Sequence, residues 1–284
     1  MKTLLSLGHG YSAQALARLL LPQGWRIIAT TRTTGKAEAL ATTGVEPILW
    51  PGTPLGPIMA ETTHLLTSIA PDDAGDPVLG AVAPLISAAN LQWLGYLSTT
   101  GVYGDHGGGW VDERTPLTPA TKRGQFRVAA EASWQVLAQE AGLPLHIFRL
   151  AGIYGPGRGP LAKLRDGSAR RIVKPGQVFS RVHVDDIAQV LAASMLRPLP
   201  GAIYNLCDDD PAAPEDVIAY AAELLGLPIP KTENWLNAEM SPMARSFYAE
   251  SKRVRNDRIK TELGIKLLYP SYRDGLTALA QWEI

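Results

Sequence analysis

Cysteine is nearly missing: Cys207 is the lone thiol in 284 residues. One thiol cannot close an internal disulfide, and no cysteine cluster is available to hold zinc. That scarcity fits a reducing compartment. An excess of one charge is missing too, with 27 Lys+Arg against 27 Asp+Glu and a formal net charge of +0. Such a balance argues against nucleic acid or an anionic membrane as the main partner. No apolar run approaches the ~18–20 residues that a spanning helix needs. The five histidines are scattered, with no two at metal-ligand spacing. Internal repeats and low-complexity tracts are absent. The apolar start, Leu4 to Leu7, breaks at Gly8-His9-Gly10 and is too short for a secretion signal. These absences predict an untargeted cytoplasmic protein that handles a small molecule.

What is present is ordinary for a folded chain: 46% hydrophobic and 19% charged residues. Strand and helix signals alternate through the first hundred residues. Leu4–Leu7, Arg26–Thr31, Val45–Leu49, His64–Ile69 and Trp93–Ser98 read as strands. Ser12–Leu21, Lys36–Ala41 and Val78–Ala89 read as helices between them, the first with Ala13, Leu16, Leu19 and Leu20 on one face. Pro51 to Thr63, rich in proline and glycine, reads as a loop or a very short helix. Alternation of this kind builds a parallel sheet covered by helices on both faces. Further on, Arg123–Glu140, Asp185–Leu196 and Glu215–Leu225 read as helices, and Leu145–Leu150 and Ala202–Leu206 as strands. Two short helices, Asn256–Leu263 and Tyr272–Trp282, close the chain. The expected architecture is one α/β domain over 1–284. Residues 1–160 are mainly a dinucleotide-binding core, and 161–284 add strands and a small substrate lobe.

The sharpest local signal is Gly8-His9-Gly10-Tyr11-Ser12-Ala13, between a predicted strand and a predicted helix. The first glycine permits a tight turn, the second lets backbone approach a pyrophosphate, and small Ala13 lets helix and strand pack closely. The helix N-terminus then offers free N–H groups and the positive end of its dipole. This context predicts a Rossmann-type doubly wound sheet that binds a dinucleotide. An NAD-preferring site carries an acidic residue at the end of the second strand. Here no Asp or Glu lies between Arg26 and Ala37, and the stretch reads Thr30-Thr31-Arg32-Thr33-Thr34. Arg32 can pair with a 2′-phosphate, and Thr31 can add a hydroxyl. NADP is therefore expected over NAD.

An ordered set of motifs resembles the short-chain dehydrogenase/reductase superfamily, in its extended epimerase/dehydratase branch. The set includes Gly8–Ala13, Leu97-Ser98-Thr99-Thr100-Gly101-Val102-Tyr103-Gly104, Phe148–Gly157, Val182–Ala188, Ile203–Leu206 and Tyr269–Leu276. The resemblance implies that Thr99 supplies the hydroxyl facing the reacting oxygen. It also implies that Ser68, Ala70 and Pro71 lie against the cofactor. The His183–Asp186 stretch reads as a helix start, with Asp185 or Asp186 as its cap.

One departure bears directly on chemistry. The family's proton donor is a tyrosine four residues before a lysine on one helix, so that both share a face. Glu131 matches the glutamate that follows in that helix. Counting back places Arg127 at the lysine and Arg123 at the tyrosine. An arginine keeps its proton at any working pH, so it stabilises charge rather than relaying a proton. Arg123 and Arg127 thus stand as candidate catalytic or anion-binding groups, and Arg127 also as a cofactor contact. Surface residues that pair with Glu131 are the plainer alternative. Tyr103, Tyr154 and His183 remain as other proton carriers. The charged runs Arg165–Lys174, Lys252–Arg255 and Asp208–Asp210 read first as solvated. Small residues along Arg123–Glu140 leave homodimerisation open. Two functions are expected from this reading. One is an oxidoreductase or epimerase/dehydratase with an altered proton relay, acting on a small carbonyl or sugar-type substrate. The other is a non-catalytic NADP(H) sensor or scaffold.

Overall fold

A computed structural model describes residues 2–282. Seven strands form one sheet. Five are β1 (Thr3–Leu7), β2 (Arg26–Thr31), β3 (Glu46–Leu49), β4 (His64–Thr67) and β5 (Trp93–Thr99), and the others are Leu145–Leu150 and Ile203–Leu206. From one edge the order runs Ile203–Leu206, Leu145–Leu150, β5, β4, β1, β2, β3. The pairs β1–β2, β1–β4, β2–β3 and β4–β5 are all parallel, with Leu5 opposite Ile28 on one side and Leu65 on the other. The strand order reverses at β1, between β2 and β4. A ligand in such a sheet binds beyond the carboxyl ends of the strands at that switch point, where residues 8–13 follow β1.

The strands are apolar because helices cover both faces. β1, β4 and Leu145–Leu150 are buried along their whole length. Helices α1 (Tyr11–Leu20), α2 (Thr34–Ala41), α3 (Gly56–Glu61) and α4 (Pro77–Ser87) fall between the first five strands. The proline-rich linker before β4 thus holds a six-residue helix, α3, started by Pro57 near its N-terminus. Asp76 caps α4 through Val78 N and Leu79 N. Its other carboxylate oxygen accepts from the indole of buried Trp134 at 3.0 Å. Leu5, Leu7, Ile28, Leu65, Tyr96 and Trp134 belong to the main core.

The chain divides into two units. One contains residues 1–99, 125–149 and 187–204, and the other 100–124, 150–186 and 205–284. The first holds most of the large sheet. The second holds paired strands of two or three residues: Arg181–His183 on Gly152–Tyr154, Thr232–Asn234 on Arg171–Val173, and Arg253–Val254 on Trp110–Val111. Its own core gathers Tyr154, Leu161, Val217, Ala221, Tyr272 and Leu276. Among the described residues, no helix is long and apolar enough to cross a membrane.

Two of the three solvated-charge expectations fail in the second unit, each at one buried residue. Lys252 is 9% exposed, and its Nζ donates to Glu250 Oε2 and to Gly104 O, both at 2.7 Å. Asp208 is 2% exposed, and burial raises its pKa to about 8. Asp209 pairs with Lys260 and Asp210 with Arg273. In the other basic run Arg165 and Arg170 are exposed, as expected, and Arg170 pairs with Glu233. Asp185 and Asp186 both lie in the first turn of the helix Val184–Leu196, and Asp186 also reaches another segment. Its two oxygens accept from Leu268 N at 2.7 Å and Tyr269 N at 3.1 Å, fastening the segment before the last helix.

Candidate functional site

Gly8 ends β1 with φ +83°, a region that L side chains rarely adopt. A Cβ there would lie 2.7 Å from Ile69 Cγ1. The fold itself therefore requires this glycine. Gly10 differs: its φ is −93°, and the nearest atom to an added Cβ is Gly8 O at 3.7 Å. Nothing within the protein forbids a side chain at Gly10. Gly10 also serves as N-cap of α1 with no side-chain cap and no acidic residue in the first turn. The helix end is thus left as a place for an anion. Ala13 and Ser12 are buried, as close packing of α1 on the sheet requires, while Tyr11 is half-buried. This cradle fits a dinucleotide's pyrophosphate.

The turn is held from two sides. Gly8 N donates to Thr30 Oγ1 at 2.8 Å, and His9 N donates to Thr30 O at 3.4 Å. From β4's end, Ser68 Oγ donates to the Gly8 carbonyl. Ser68 therefore spends its hydroxyl on the turn, whereas Ala70 is exposed. Thr31 is buried at the end of β2, and its carbonyl accepts from Trp50 N at 2.8 Å. Arg32, the next residue, is exposed.

Thr99 ends β5, half-buried, and leads into the 3-10 turn Thr100–Tyr103. Arg127 lies on the helix Lys122–Ala141. Its guanidinium donates to Leu97 O at 2.5 Å and to the Tyr96 hydroxyl at 3.2 Å. Burial pushes the Tyr96 phenol up to about 12, against the pull of Arg127. Arg127 thus grips the strand that carries Thr99, two residues before it. Arg123, one helical turn earlier, is exposed, with its guanidinium 4.9 Å from the centre of the Phe247 ring. Among the described residues, neither arginine forms an ion pair with Glu131. Glu131 is 2% exposed and faces Arg149, with an Nη2–Oε2 distance of 2.7 Å, and accepts from Ser98 as well.

That buried network was not anticipated from the sequence. A signal existed: Arg149 interrupts the apolar strand Leu145–Leu150, and a buried guanidinium needs a carboxylate. The other proton-carrier candidates are buried. Tyr103 donates to Asn205 Oδ1 at 2.7 Å. Burial raises the Tyr154 phenol far above its usual range. His183 is kept neutral by burial, with a pKa lowered to about 4.

Comparison with known proteins defines the class. A model of the NAD-dependent epimerase/dehydratase family matches residues 71–207. Protein YeeZ of Escherichia coli K12 is 30% identical over 285 aligned positions, covering 95% of this chain and 97% of that protein. A 3-diazoavenalumate denitrifying reductase of a Streptomyces species is 30% identical over 181 positions, covering 59% of this chain and 55% of the reductase. A solved structure of a functionally unknown conserved protein from Silicibacter pomeroyi DSS is 61% identical, with a TM-score of 0.94, over 100% of this chain and 99% of that one. The chain belongs to the NAD-dependent epimerase/dehydratase family.

Proposed function

We propose that this protein is an NADP(H)-dependent oxidoreductase of that family, working without the usual tyrosine–lysine relay. The observation that carries the cofactor reading is the open Gly10 at an uncapped helix, followed at the end of β2 by Arg32 instead of an acid. The nicotinamide, when bound, supplies the hydride chemistry. Thr99 is assigned the hydroxyl that hydrogen-bonds the reacting group. Arg127 is a positioning residue: it fixes Leu97 and Tyr96 on the strand that ends at Thr99, and its charge favours an anion or a ribose hydroxyl nearby. Arg123 is assigned to an anionic group of the substrate.

A fixed cation can polarise a substrate but cannot give up a proton in the cycle. The reaction that suits such a site is hydride transfer in which the product needs no proton from the helix Lys122–Ala141. One relative is a denitrifying reductase of a diazo compound, 3-diazoavenalumate. The substrate is assigned as a small electrophile, of carbonyl or related type.

The competing reading is a non-catalytic NADP(H) sensor. It is favoured by one observation: Arg123 already rests on Phe247, and Arg127 is already bonded to the backbone. Calorimetric titration with NADPH and NADH, on wild type and on Arg32→Ala, tests the cofactor. Tight NADPH binding that falls to the NADH level in the variant is expected, and binding of neither nucleotide overturns the reading. NADPH oxidation in a screen of small electrophiles then separates enzyme from sensor. Turnover that Thr99→Val abolishes with cofactor affinity retained excludes the sensor, and no turnover across the screen excludes the enzyme.

A further inference from the structure

The helix Lys122–Ala141 begins with two cations, Lys122 and Arg123, and its first turn holds no acidic residue. Cations are mildly unfavourable at the positive end of a helix dipole. The cap itself is filled, since Gly124 N donates to Thr121 Oγ1 at 3.1 Å. Arg123 is exposed and, among the described residues, makes no ion pair or hydrogen bond. Nothing in the fold therefore favours a guanidinium here except the Phe247 ring that it lies over. Its backbone is nonetheless fixed. A Cβ added to the next residue, Gly124, would lie 2.9 Å from both Gly101 O and Pro119 Cβ. The helix start is thus pressed against the turn Thr100–Tyr103, which follows directly on Thr99.

Phe247 is 48% exposed, on the short helix Pro242–Tyr248. The backbone around it is anchored independently of its ring. Lys174 Nζ donates to Tyr248 O, and the buried Gln177 donates to Glu250 O at 2.6 Å. Tyr248 packs edge-on against Phe179, with ring centres 5.8 Å apart. The chain therefore holds Phe247 in place without burying it. The Arg123 guanidinium, 4.9 Å from the ring centre, gives one face to that contact and none of its N–H groups. Two other exposed arginines that lie over rings differ. Arg255, over Trp110, pairs with Asp257 at 3.7 Å, and Arg273, over Tyr272, pairs with Asp210. Arg245, on the same short helix as Phe247, donates to Ala238 O at 2.9 Å. Lys122 precedes Arg123, but consecutive helical residues do not share a face. Arg123 thus offers one guanidinium with its donors unused, beside a flat exposed ring.

We infer that Arg123 and Phe247 are the specificity determinants for a planar organic carboxylate, an aromatic or conjugated acid. The guanidinium fork takes both carboxylate oxygens, and the exposed ring packs on the flat group attached to them. The two demands together exclude simpler ligands. Inorganic phosphate engages the cation and leaves the ring bare, and an uncharged arene does the reverse. One guanidinium also matches the single charge of a carboxylate better than the double charge of a phosphate monoester. This rests on the reading above that Arg123 faces the substrate, and it adds the class of substrate and the part played by Phe247.

The test uses benzoate, benzamide (flat but uncharged) and cyclohexanecarboxylate (charged but not flat). Calorimetric titration of the full chain, with and without NADPH, should show benzoate binding about tenfold tighter than either of the others. Arg123→Gln should bring benzoate down to the benzamide level. Phe247→Leu should weaken benzoate by about threefold to tenfold and leave cyclohexanecarboxylate unchanged. Both side chains are exposed, so each variant should shift the melting temperature by about 2 °C or less. Wild type that binds benzoate no tighter than benzamide overturns the inference, as does a preference that survives Arg123→Gln. It is equally overturned if Phe247→Leu leaves benzoate unchanged or weakens both acids alike, or if inorganic phosphate displaces benzoate at a lower concentration than cyclohexanecarboxylate does. The two readings fail separately. If a small electrophile is turned over with NADPH and no acid preference is found, the carboxylate class falls and the oxidoreductase stands. If benzoate binding depends on Arg123 while neither nucleotide binds, the oxidoreductase falls and the carboxylate site stands.

Discussion

The glycine turn and the start of the helix Lys122–Ala141 treat their polar groups in opposite ways. The turn bonds its glycine backbone but leaves other polar groups uncommitted. Helix α1 begins at an uncapped Gly10, His9 has an unpartnered nitrogen, and Arg32 reaches solvent. The helix start has committed its own. Arg127 is bonded to Leu97 O and Tyr96, Arg123 rests on Phe247, and Glu131 is locked with Arg149 and Ser98. Groups left unsatisfied by the fold are groups a ligand can satisfy. Groups already satisfied mainly hold shape. The contrast supports the proposed function, in which the turn serves the cofactor and Arg127 holds the strand that ends at Thr99.

The largest effect should come from the committed side. Glu131→Gln removes the partner of a buried guanidinium, and chemical denaturation should show a loss of about 3–5 kcal/mol. A loss below about 1 kcal/mol would mean that Arg149 finds another partner, and the network would not be the anchor described.

Next comes a dissociation within the turn itself. Gly10→Glu should abolish NADPH binding, by about a hundredfold or more, at an unchanged melting temperature, because its Cβ meets no protein atom closer than 3.7 Å. Gly8→Ala should cost about 1–3 kcal/mol in stability, because of its positive φ and the contact with Ile69. Equal stability losses in the two variants would erase the distinction between a glycine required by the fold and one required by the ligand.

Protonation offers a smaller effect. His64, packed edge-on against Trp25, has a pKa lowered to about 4 by burial, with Lys2 adding to it. The unfolded chain takes up that proton near pH 6.5, before the folded chain does. Stability from this group is therefore complete above pH 6.5 and drains away as pH falls toward 4, by up to about 1.4 kcal/mol per pH unit. His64→Gln should flatten the stability–pH curve by that slope in this window, and NADP+ should not change the difference. The smallest effect belongs to Arg123→Ala. Loss of one exposed stacking contact should change stability by about 0.5 kcal/mol or less, and a larger loss would show that the Phe247 contact is structural.

The strands of the large sheet were legible because each is a run of four to seven residues bounded by turn residues, and the first helix carried a clear apolar period. The linker before β4 was legible through its prolines. The paired strands of the second unit were not. Gly152–Tyr154 and Arg253–Val254 are too short for any period to show, and each exists because a partner far along the chain pairs with it. Non-local pairing also hid the burial of Lys252 and Asp208. A charged residue looks solvated in sequence until a distant partner, here the Gly104 carbonyl for Lys252, is folded against it. At the glycine turn the backbone role was readable from spacing. The orphaned nitrogen of His9 was not, because it depends on where Ser6 and Thr30 lie in space.

The stitching of residues 251–255 onto the loop 104–111 also has a consequence for biosynthesis. Ser251 O accepts from His106 N and Gly108 N, Ser251 N donates to Asp105 Oδ1, and Arg253 N donates to Gly109 O. These contacts join segments some 145 residues apart in sequence, as the Gly104–Lys252 bond does at a separation of 148. A chain still emerging from the ribosome can build β1 to β5 from its first hundred residues. It cannot set the loop that follows β5 until residue 255 has cleared the exit tunnel. Translation therefore separates the two parts of the work in time, with the nucleotide cradle shaped before the loop beyond Thr99.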